Sequence, residues 1–497
     1  MRSHTSKFII ALATVLIACS KSQTPSPSPS PIPTPVDEVP VEVTVNVSNI
    51  LRTLTGNEVG LNMNYLMDDA IIPGNNNSKT GEGIIQMGAK ILRYPGGEKS
   101  DNYYFASPPY SKASPRAITC LLPVKDGNDR FVNADLTAKS IVMDFDEFMA
   151  TCSQTNAQPL VVVAYDLMYM NDSWCNGVKP TKAQLLENAK QWVKYANVTK
   201  NYNVKLWMIG NESFNQNGMS AEQYALDIAE FADAMRSVDP SIKIIANGKS
   251  SWWSALLTSP AVSKIDYLAP GNYLGSNMSS YDKYRTNTAS LTTETDKAIA
   301  AIETLATGTD RSRIGVIVYE YNSIDFNGGW ANDNNLGHAL CSFQMLADDL
   351  VKPKLYSACF WNTRWINNIT NSHDLYDALH ANGSLNANAI SLSILGKNLL
   401  STMVSTTSGN GIKSYASYAS GTKDLRIFLL NKELSPKKVK ISLANYLASF
   451  TYDKWEFKGN NPEDKFPTWA TTASNQTGSS NLEITLPATS VTMIACR

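Results

Sequence analysis

Short apolar runs alternate with longer helix-like stretches from about residue 57 onward, and this alternation restricts the folds open to the chain. Runs of strand length occur at 59–63, 89–94, 159–165, 206–209, 242–246, 265–269, 314–320 and 354–361. Helix-like stretches between them include 182–199, 221–238, 293–307 and 336–350. Strand-helix units in series build a parallel sheet, and eight of them predict a closed (β/α)8 barrel, the TIM-barrel form of the α/β class.

The sequence pattern changes after Met403, where strand-like segments follow one another without helix-like stretches between them. Segments 411–418, 425–431, 437–442 and 482–487 carry the pattern of half-buried strands. We therefore predict a C-terminal all-β sandwich over 403–497, preceded by a barrel domain over 41–402. Residues 41–48 also alternate apolar and polar side chains, so they either pair with the sandwich or belong to the preceding linker.

Residues 1–19 have the layout of a targeting segment rather than of a folded element. Arg2 and Lys7 precede an almost wholly apolar run, which is too short for a permanent membrane span. The run ends in Leu-Ile-Ala-Cys at Cys19, which resembles the lipobox of bacterial lipoproteins and implies cleavage before Cys19 and acylation of its thiol. A signal peptide with a chance cysteine is the alternative.

Residues 20–40 are rich in proline and serine, a composition that stays extended and builds no core. We expect this segment to be a linker that holds the folded domains away from a membrane. The lipobox resemblance implies an exported protein that is lipid-anchored to a bacterial membrane, and Ser20 is compatible with the outer membrane. Export permits disulfides, and buried free thiols are an equal alternative, for Cys120, Cys152, Cys175, Cys341, Cys359 and Cys496.

The overall charge and the histidine content exclude several kinds of chemistry. The chain has 43 basic and 44 acidic residues and a net charge of -1 at pH 7, so no basic surface for nucleic acid is indicated. Its four histidines form no pair at metal-ligand spacing, so neither a zinc centre nor any other metal or cofactor is expected. Catalysis is therefore expected from carboxylates, and the oligomeric state stays open.

Two glutamates stand where predicted strands end, and both fit the chemistry of glycoside hydrolysis. That reaction needs one carboxyl group that protonates the departing oxygen and a second one that attacks or activates water. Glu212 follows the fourth predicted strand in Trp-Met-Ile-Gly-Asn-Glu, and Glu320 ends the seventh in Val-Ile-Val-Tyr-Glu. Burial at a strand end raises the pKa of a carboxyl group toward the range of a general acid. A solvent-facing glutamate at the start of a loop is the alternative for each residue considered alone.

The Asn-Glu pair after the fourth strand and the Glu after the seventh resemble the arrangement in the retaining (β/α)8 glycosidases of clan A. Ile-Leu-Arg-Tyr-Pro-Gly-Gly at 91–97 is similar to a segment of the family 51 α-L-arabinofuranosidases and their relatives in families 79, 39 and 30. The resemblance implies Glu212 as general acid/base and Glu320 as nucleophile. It also implies that Arg93 lies near Glu320 and keeps it ionised, since a guanidinium that donates to a carboxylate lowers its pKa.

The resemblance implies further substrate-binding residues around the two glutamates. Asn211 is expected to donate to the sugar hydroxyl next to the reacting carbon, and Tyr273 to contact the nucleophile. Asn272 stands beside Tyr273 where clan members often have histidine, which weakens the placement in the arabinofuranosidase family. Trp361, after the eighth strand, is expected to be an aromatic platform under the sugar unless it belongs to the core, and Trp174 is a second candidate platform in a loop.

The expected activity is retaining hydrolysis of glycosidic bonds in a plant or algal polysaccharide, of the α-L-arabinofuranosidase type. An endo-acting galactanase of the agarase or porphyranase type is the second possibility. Further tryptophans in predicted loops either line a long cleft, as that enzyme needs, or only pack the loops: Trp252, Trp253 and Trp330. A surface glycan-binding lipoprotein without catalysis is the third possibility. A binding protein has no need for both glutamates, so we favour an enzyme.

Overall fold

The computed structural model of the chain describes residues 39–65, 68, 79–103, 105, 143–169, 180–216, 218–275, 278–365, 373–409 and 411–497. Pro40–Arg497 form one compact unit. The predictions about the Cys19 anchor, most of the linker, Trp174, Cys120 and Cys175 lie outside the described residues.

Eighteen strands are found in the described residues. They are β1 (Val41–Thr53), β2 (Val59–Asn62), β3 (Ile91–Tyr94), β4 (Gln158–Val163), β5 (Leu206–Ile209), β6 (Lys243–Asn247), β7 (Tyr267–Ala269), β8 (Gly271–Leu274), β9 (Gly315–Asp325), β10 (Leu355–Phe360), β11 (Thr402–Ser408), β12 (Ile412–Ala419), β13 (Asp424–Asn431), β14 (Lys437–Ala444), β15 (Ser449–Lys458), β16 (Thr468–Ser479), β17 (Asn481–Leu486) and β18 (Ser490–Cys496).

The α-helices of the described residues lie mostly between the first ten strands. They are α1 (Thr80–Met87), α2 (Phe145–Thr155), α3 (Lys182–Val193), α4 (Ala221–Arg236), α5 (Trp253–Thr258), α6 (Tyr281–Thr286), α7 (Thr293–Leu305), α8 (Gly308–Arg313), α9 (Leu336–Leu350) and α10 (Ala387–Asn398). The helix expected at 182–199 continues beyond α3 as a π-helix, Lys194–Thr199.

Eight strands pair in parallel and close a barrel. Their order is β2, β3, β4, β5, β6, β7, β9 and β10, and β10 returns to pair with β2. Each barrel strand lies on one of the predicted apolar runs. Alternate residues point inward, so apolar side chains such as Val162, Met208 and Ile317 fill the interior. The opposite side of the strands packs on the helices, and polar side chains concentrate where the strands end.

β8 is an extra short strand that the sequence did not predict. It pairs in parallel with the second half of β9, from Glu320 to Asp325, and takes no place in the barrel wall. This pairing is available because β9 has 11 residues and continues past the other barrel strands. Gly271 is the partner of Glu320 in the pairing, so the chain that follows β7 lies directly against a candidate catalytic residue.

The C-terminal strands form one sheet that folds over itself as a sandwich. Its order is β16, β15, β18, β13, β12, β11, β1, β14 and β17. Its two halves face each other across an apolar core that includes Val45, Ile427 and Ile441. β1 pairs antiparallel with β11 and parallel with β14, so the whole of β1 belongs to the sandwich. The predicted fold class, a (β/α)8 barrel with a C-terminal β-sandwich, is confirmed.

Buried free thiols, and not disulfides, are found at the cysteines within the described residues: Cys152, Cys341, Cys359 and Cys496. Burial raises the pKa of the Cys359 thiol to about 12. A thiol that stays protonated is a poor nucleophile and a poor metal ligand, so these cysteines behave as small apolar core residues.

Candidate active site

Glu212 and Glu320 lie at the same end of the barrel, where its strands finish. Glu212 comes shortly after β5, and Glu320 lies within the long strand β9. The backbone of Glu212 has φ 50° and ψ 38°, a left-handed conformation that residues other than glycine rarely adopt. Such strain persists where the surroundings hold it, and it concentrates at functional sites. The turn after β5 is therefore held in a shape that aims the Glu212 side chain.

Glu320 is only 4% exposed and accepts two short hydrogen bonds. Arg93 Nη1 lies 2.9 Å from its Oε1, and the Tyr273 hydroxyl donates to its Oε2 at 2.6 Å. Burial raises the pKa of Glu320 to about 7, and the negative charge of Glu212 adds to this effect. Arg93 and Tyr273 act in the opposite direction by favouring the ionised form. Arg93 is thus placed as the sequence predicted, but burial is the larger influence on the pKa of Glu320.

Glu212 is half-buried and has weaker partners. The Tyr319 hydroxyl donates to its Oε1 at 3.3 Å, and Asn215 Nδ2 donates to its Oε2 at 3.3 Å. Burial raises the pKa of Glu212, and the nearby negative charge of Glu98 raises it further. Neither hydrogen-bond donor is a cation, whereas Glu320 has the Arg93 guanidinium. The two carboxyl groups thus have unequal hydrogen-bond donors, although burial raises the pKa of both.

Arg93 is fully buried and organises several polar side chains at once. Besides Glu320, it donates from Nη1 to Asn62 Oδ1 at 2.7 Å and from Nη2 to Asn211 Oδ1 at 2.6 Å. Its guanidinium carbon also lies 5.1 Å from the centre of the Tyr319 ring. A planar guanidinium with several donors suits this fan of acceptors better than a lysine would.

Asn211 is held from two sides, which fixes the orientation of its amide. Its backbone N–H donates to Asp166 Oδ2 at 2.7 Å, and its Oδ1 accepts from Arg93. Its side-chain nitrogen has no acceptor among the described residues. That nitrogen is thus the free donor beside Glu212, in agreement with a role in binding a sugar hydroxyl.

Asn272 is not brought to the carboxyl groups, in contrast to its predicted role in substrate binding. Its Nδ2 donates to Thr295 Oγ1 on α7 at 2.7 Å, away from Glu320. Successive side chains of a strand point to opposite faces, so Asn272 points toward α7 and Tyr273 points toward Glu320. The buried Asp349 lies close to Thr295. Asn272 therefore anchors β8 and acts on the site only through the position of its neighbour.

Trp361 forms a wall of the site rather than an open platform. It is 7% exposed and packs with Ile324 and Leu375. A Cβ at Gly97 would lie 2.6 Å from Trp361 Cη2 and 3.0 Å from Glu320 Oε1, so only glycine allows this close approach. The second glycine of the Arg-Tyr-Pro-Gly-Gly segment is therefore required because any side chain at this position would clash with Trp361 and Glu320. Trp174 lies outside the described residues.

The additional tryptophans are buried and pack against neighbouring side chains. Trp252 contacts the rings of Phe214 and Tyr224, Trp253 is core, and Trp330 stacks on His338 with ring centres 3.8 Å apart. Of the two alternatives for these residues, loop packing is the one that the structure has.

Three site residues were missed by sequence reasoning. Tyr319 bridges toward Glu212 from the position before Glu320. Asp166 follows β4 and accepts from Asn211, and the buried Asp101 lies close enough to Asp166 for the two carboxyl groups to interact. Burial raises the pKa of Asp166 to about 6 and that of Asp101 well above its ordinary value, and the charge of Asp166 raises the pKa of Asp101 further. The strand-end signal that identified Glu212 also marks Asp166, whereas nothing local marks Asp101.

No group of three or more histidine, cysteine, aspartate or glutamate residues is arranged to hold a metal ion in the described part of the chain.

Sequence comparisons relate the chain to arabinofuranosidases. A family model described as the alpha-L-arabinofuranosidase 1 domain matches residues 84–288. An intracellular exo-α-(1→5)-L-arabinofuranosidase from Acetivibrio thermocellus is 26% identical over 210 residues, which are 39% of this chain and 38% of that protein. The chain thus matches about a third of the length of these curated relatives.

Solved structures show the same architecture over nearly the whole chain. The α-L-arabinofuranosidase of Thermotoga maritima, in complex with arabinose, is 18% identical with a TM-score of 0.70, covering 92% of this chain and 99% of that one. A family 44 xyloglucanase from Paenibacillus polymyxa is 12% identical with a TM-score of 0.61, covering 92% and 99%. At these identities the likeness concerns the fold. In sequence and fold together, the chain resembles the family 51 α-L-arabinofuranosidases of clan A.

Proposed function

We propose that the protein is a retaining glycoside hydrolase of the α-L-arabinofuranosidase type. The observation that carries the proposal is the unequal pair of carboxyl groups at the strand ends. Glu320 is buried with two donors closer than 3 Å, one of them a cation, whereas Glu212 has two neutral donors at 3.3 Å. An unequal pair suits one nucleophile and one acid/base. The family-model match and the arabinofuranosidase relatives support the type of substrate.

The proposed mechanism is a double displacement. Glu320 attacks the anomeric carbon and forms a glycosyl ester, while Glu212 gives its proton to the departing glycosidic oxygen. Glu212, now ionised, takes a proton from water, and that water releases the sugar and regenerates the Glu320 carboxylate. The raised pKa of Glu212 suits the first step, because the group must carry a proton near neutral pH.

The neighbours of the two glutamates have distinct proposed roles. Asn211 donates to the hydroxyl next to the reacting carbon, a contact that strengthens as positive charge develops on the sugar. Tyr273 and Arg93 hold the nucleophile in one orientation through their hydrogen bonds. Trp361 supplies an apolar wall for the C–H face of the sugar.

The test is sugar release from 4-nitrophenyl α-L-arabinofuranoside and from arabinan, arabinoxylan, agarose, porphyran, β-glucan and galactan. Glu320→Gln is expected to lose activity by at least about 10³-fold on every substrate that the wild type cleaves. Glu212→Gln is expected to lose less on the aryl glycoside, whose leaving group needs little protonation, and to recover activity with azide. Product anomers followed by proton NMR are expected to show retention.

Glu222→Gln is the matched control, because Glu222 is exposed on the outer face of α4. It is expected to keep wild-type activity. Cleavage of agarose or porphyran alone would favour the galactanase alternative. Glycan binding without release by the wild type would leave only a binding function, and an inverted product would contradict the assignment of Glu320 as nucleophile.

We also propose that the protein is exported and lipid-anchored at Cys19. The Leu-Ile-Ala-Cys sequence and the proline-rich segment that follows it support the proposal. Within the described residues no helix has the length and apolar character to cross a bilayer. Expression with labelled palmitate in a bacterial host is expected to label the wild type and not Cys19→Ala. Equal labelling of both proteins would contradict the anchor.

A further inference from the structure

Exposed aromatic rings are rare in the described part of the chain. Only Phe326, 63% exposed, and Phe466, 74% exposed, have aromatic side chains in the exposed class there. Phe326 follows β9 of the barrel, and Phe466 lies in the β15–β16 connection of the sandwich. Exposed aliphatic side chains, by contrast, are spread over the outer helices and the sandwich, as at Leu226 and Leu447. An exposed phenylalanine presents a flat apolar ring, the kind of surface on which the C–H face of a sugar packs.

Phe326 stands beside the candidate nucleophile. Its ring centre lies 5.0 Å from that of Tyr273, whose hydroxyl donates to Glu320. The loop that carries Phe326 is rigidly turned, because the Asp325 carboxylate accepts from the backbone N–H groups of Asn327 and Gly329, each at 3.0 Å. Phe326 is therefore held with its ring toward solvent at the rim of the site.

Phe466 is fixed to the same end of the barrel although it belongs to the sandwich. Its loop accepts two backbone hydrogen bonds from the start of α9, from Leu336 to Asp464 at 2.8 Å and from Gly337 to Pro462 at 2.7 Å. Lys465 Nζ lies 2.9 Å from Asp333 Oδ1 in the barrel loop before α9. These contacts hold the sandwich loop over the ends of the barrel strands.

The ring of Phe466 rests edge-to-face on His373, with centres 4.8 Å apart. His373 lies in the chain that follows β10, and Leu375, two residues later, packs on Trp361. Trp361 in turn borders Gly97, next to Glu320. Two series of contacts thus lead outward from Glu320, one through Tyr273 to Phe326 and the other through Trp361 to the ring of Phe466.

We propose that Phe326 and Phe466 are contacts for a glycan chain that extends beyond the sugar at Glu320, so that the sandwich domain supplies part of the substrate cleft. The C–H faces of sugars pack on aromatic rings, and rings held on rigid supports lose little entropy when a ligand binds. The proposal rests on the proposed glycosidase function and refines its substrate to a polymer or a long oligosaccharide.

The test compares a polymer with a single sugar. KM is measured for Phe326→Ala, Phe466→Ala and the double variant on the polysaccharide that the wild type cleaves best and on 4-nitrophenyl α-L-arabinofuranoside. Each single variant is expected to raise the ratio of polymer KM to aryl-glycoside KM about fivefold, and the double variant more. Leu226→Ala and Leu447→Ala, which remove exposed apolar side chains from the barrel and the sandwich, are expected to leave this ratio as in the wild type.

Affinity gel electrophoresis separates this proposal from the proposed function. Glu320→Gln in polysaccharide-containing gels is expected to be retarded, and the added Phe466→Ala change to reduce the retardation. If the wild type cleaves no glycan but is retarded through Phe466, the hydrolase proposal fails while the cleft proposal stands. If the wild type is active and the phenylalanine variants match the two leucine controls in both assays, the cleft proposal is wrong.

Discussion

Glu320 and Glu212 carry the same side chain at the same end of the barrel, and their surroundings are opposite. Glu320 lies within a strand, is buried, and is held by Arg93 and Tyr273 at 2.9 and 2.6 Å. Glu212 lies beyond a strand end, is half-buried, and has donors at 3.3 Å from Tyr319 and Asn215. The difference shows that two identical side chains at one end of a barrel acquire different environments through hydrogen-bond donors and burial, which is the basis for the separate roles proposed for them.

Removal of the Arg93 guanidinium is expected to have the largest effect, because it takes away the cation that distinguishes Glu320 from Glu212. Arg93→Met leaves the oxygens of Asn62 and Asn211 without their donor and Glu320 without its counter-charge. We expect kcat/KM to fall about 10³-fold and the free energy of unfolding to fall by about 3 kcal/mol. Arg93→Lys, which keeps the charge but not the fork, should fall between this variant and the wild type. Wild-type activity in both variants would show that the asymmetry has another origin.

The pH dependence follows from the pKa of Glu320, which burial raises to about 7. In the proposed mechanism Glu320 must be ionised to attack, so activity is expected to fall as protons bind below that pH. We expect kcat/KM to fall about tenfold per pH unit on the acid side, and so about 100-fold at pH 5. An acid limb below pH 5 would mean that Arg93 and Tyr273 outweigh burial in the free enzyme.

The same raised pKa has a consequence for stability. Glu320 ionises less readily in the folded chain than in the unfolded chain, where its pKa is near 4.5. Because the folded chain binds this proton more tightly than the unfolded chain, protonation of Glu320 stabilises the fold. This stabilisation is fully present below pH 4.5 and is lost as the pH rises to about 7. Between pH 4.5 and pH 8, the wild type should therefore lose about 3 kcal/mol relative to Glu320→Gln, measured by urea unfolding. A constant difference across this range would contradict the raised pKa.

Loss of the Tyr273 hydroxyl, which donates to Glu320, is expected to reduce activity less than loss of the Arg93 guanidinium. Tyr273→Phe removes the 2.6 Å hydrogen bond, so the pKa of Glu320 should rise and kcat/KM at pH 7 should fall about tenfold. Tyr321→Phe is the matched control, because the buried hydroxyl of Tyr321 has no hydrogen-bond partner among the residues that the structure describes. Its activity should match the wild type. Equal losses in the two variants would point to packing and not to the hydrogen bond.

Asn272 offers the mildest test, since it reaches the site only through its neighbour. Asn272→Ala removes the 2.7 Å bond to Thr295, and we expect the free energy of unfolding to fall by about 1 kcal/mol with kcat/KM within about threefold of the wild type. Thr295→Val breaks the same bond from the other partner and should behave alike. A large loss of activity with normal stability in Asn272→Ala would restore this residue to direct substrate binding.

The strands and both glutamates could be predicted because their signals are local. Each barrel strand lies on an apolar run that is visible in the sequence, and each glutamate follows or ends such a run. β8 could not be predicted, since its four residues form a strand only because β9 extends far enough to pair with them. The face of Asn272 depends on that pairing as well, so its side chain could not be assigned from its position beside Tyr273.

By itself, the sequence determined the barrel, the sandwich and the two carboxyl groups, because hydrophobic periodicity and strand ends are properties of neighbouring residues. Only the tertiary structure decided that β1 joins the sandwich and that Asp101 lies near Asp166. It also decided that Phe466 lies at the end of the barrel formed by the carboxyl ends of its strands. The tertiary structure also set the pKa of Glu320, which burial raises more than Arg93 lowers it. The physical reason is that burial, pKa and the meeting of distant segments depend on every element packed around a side chain, which no local pattern contains.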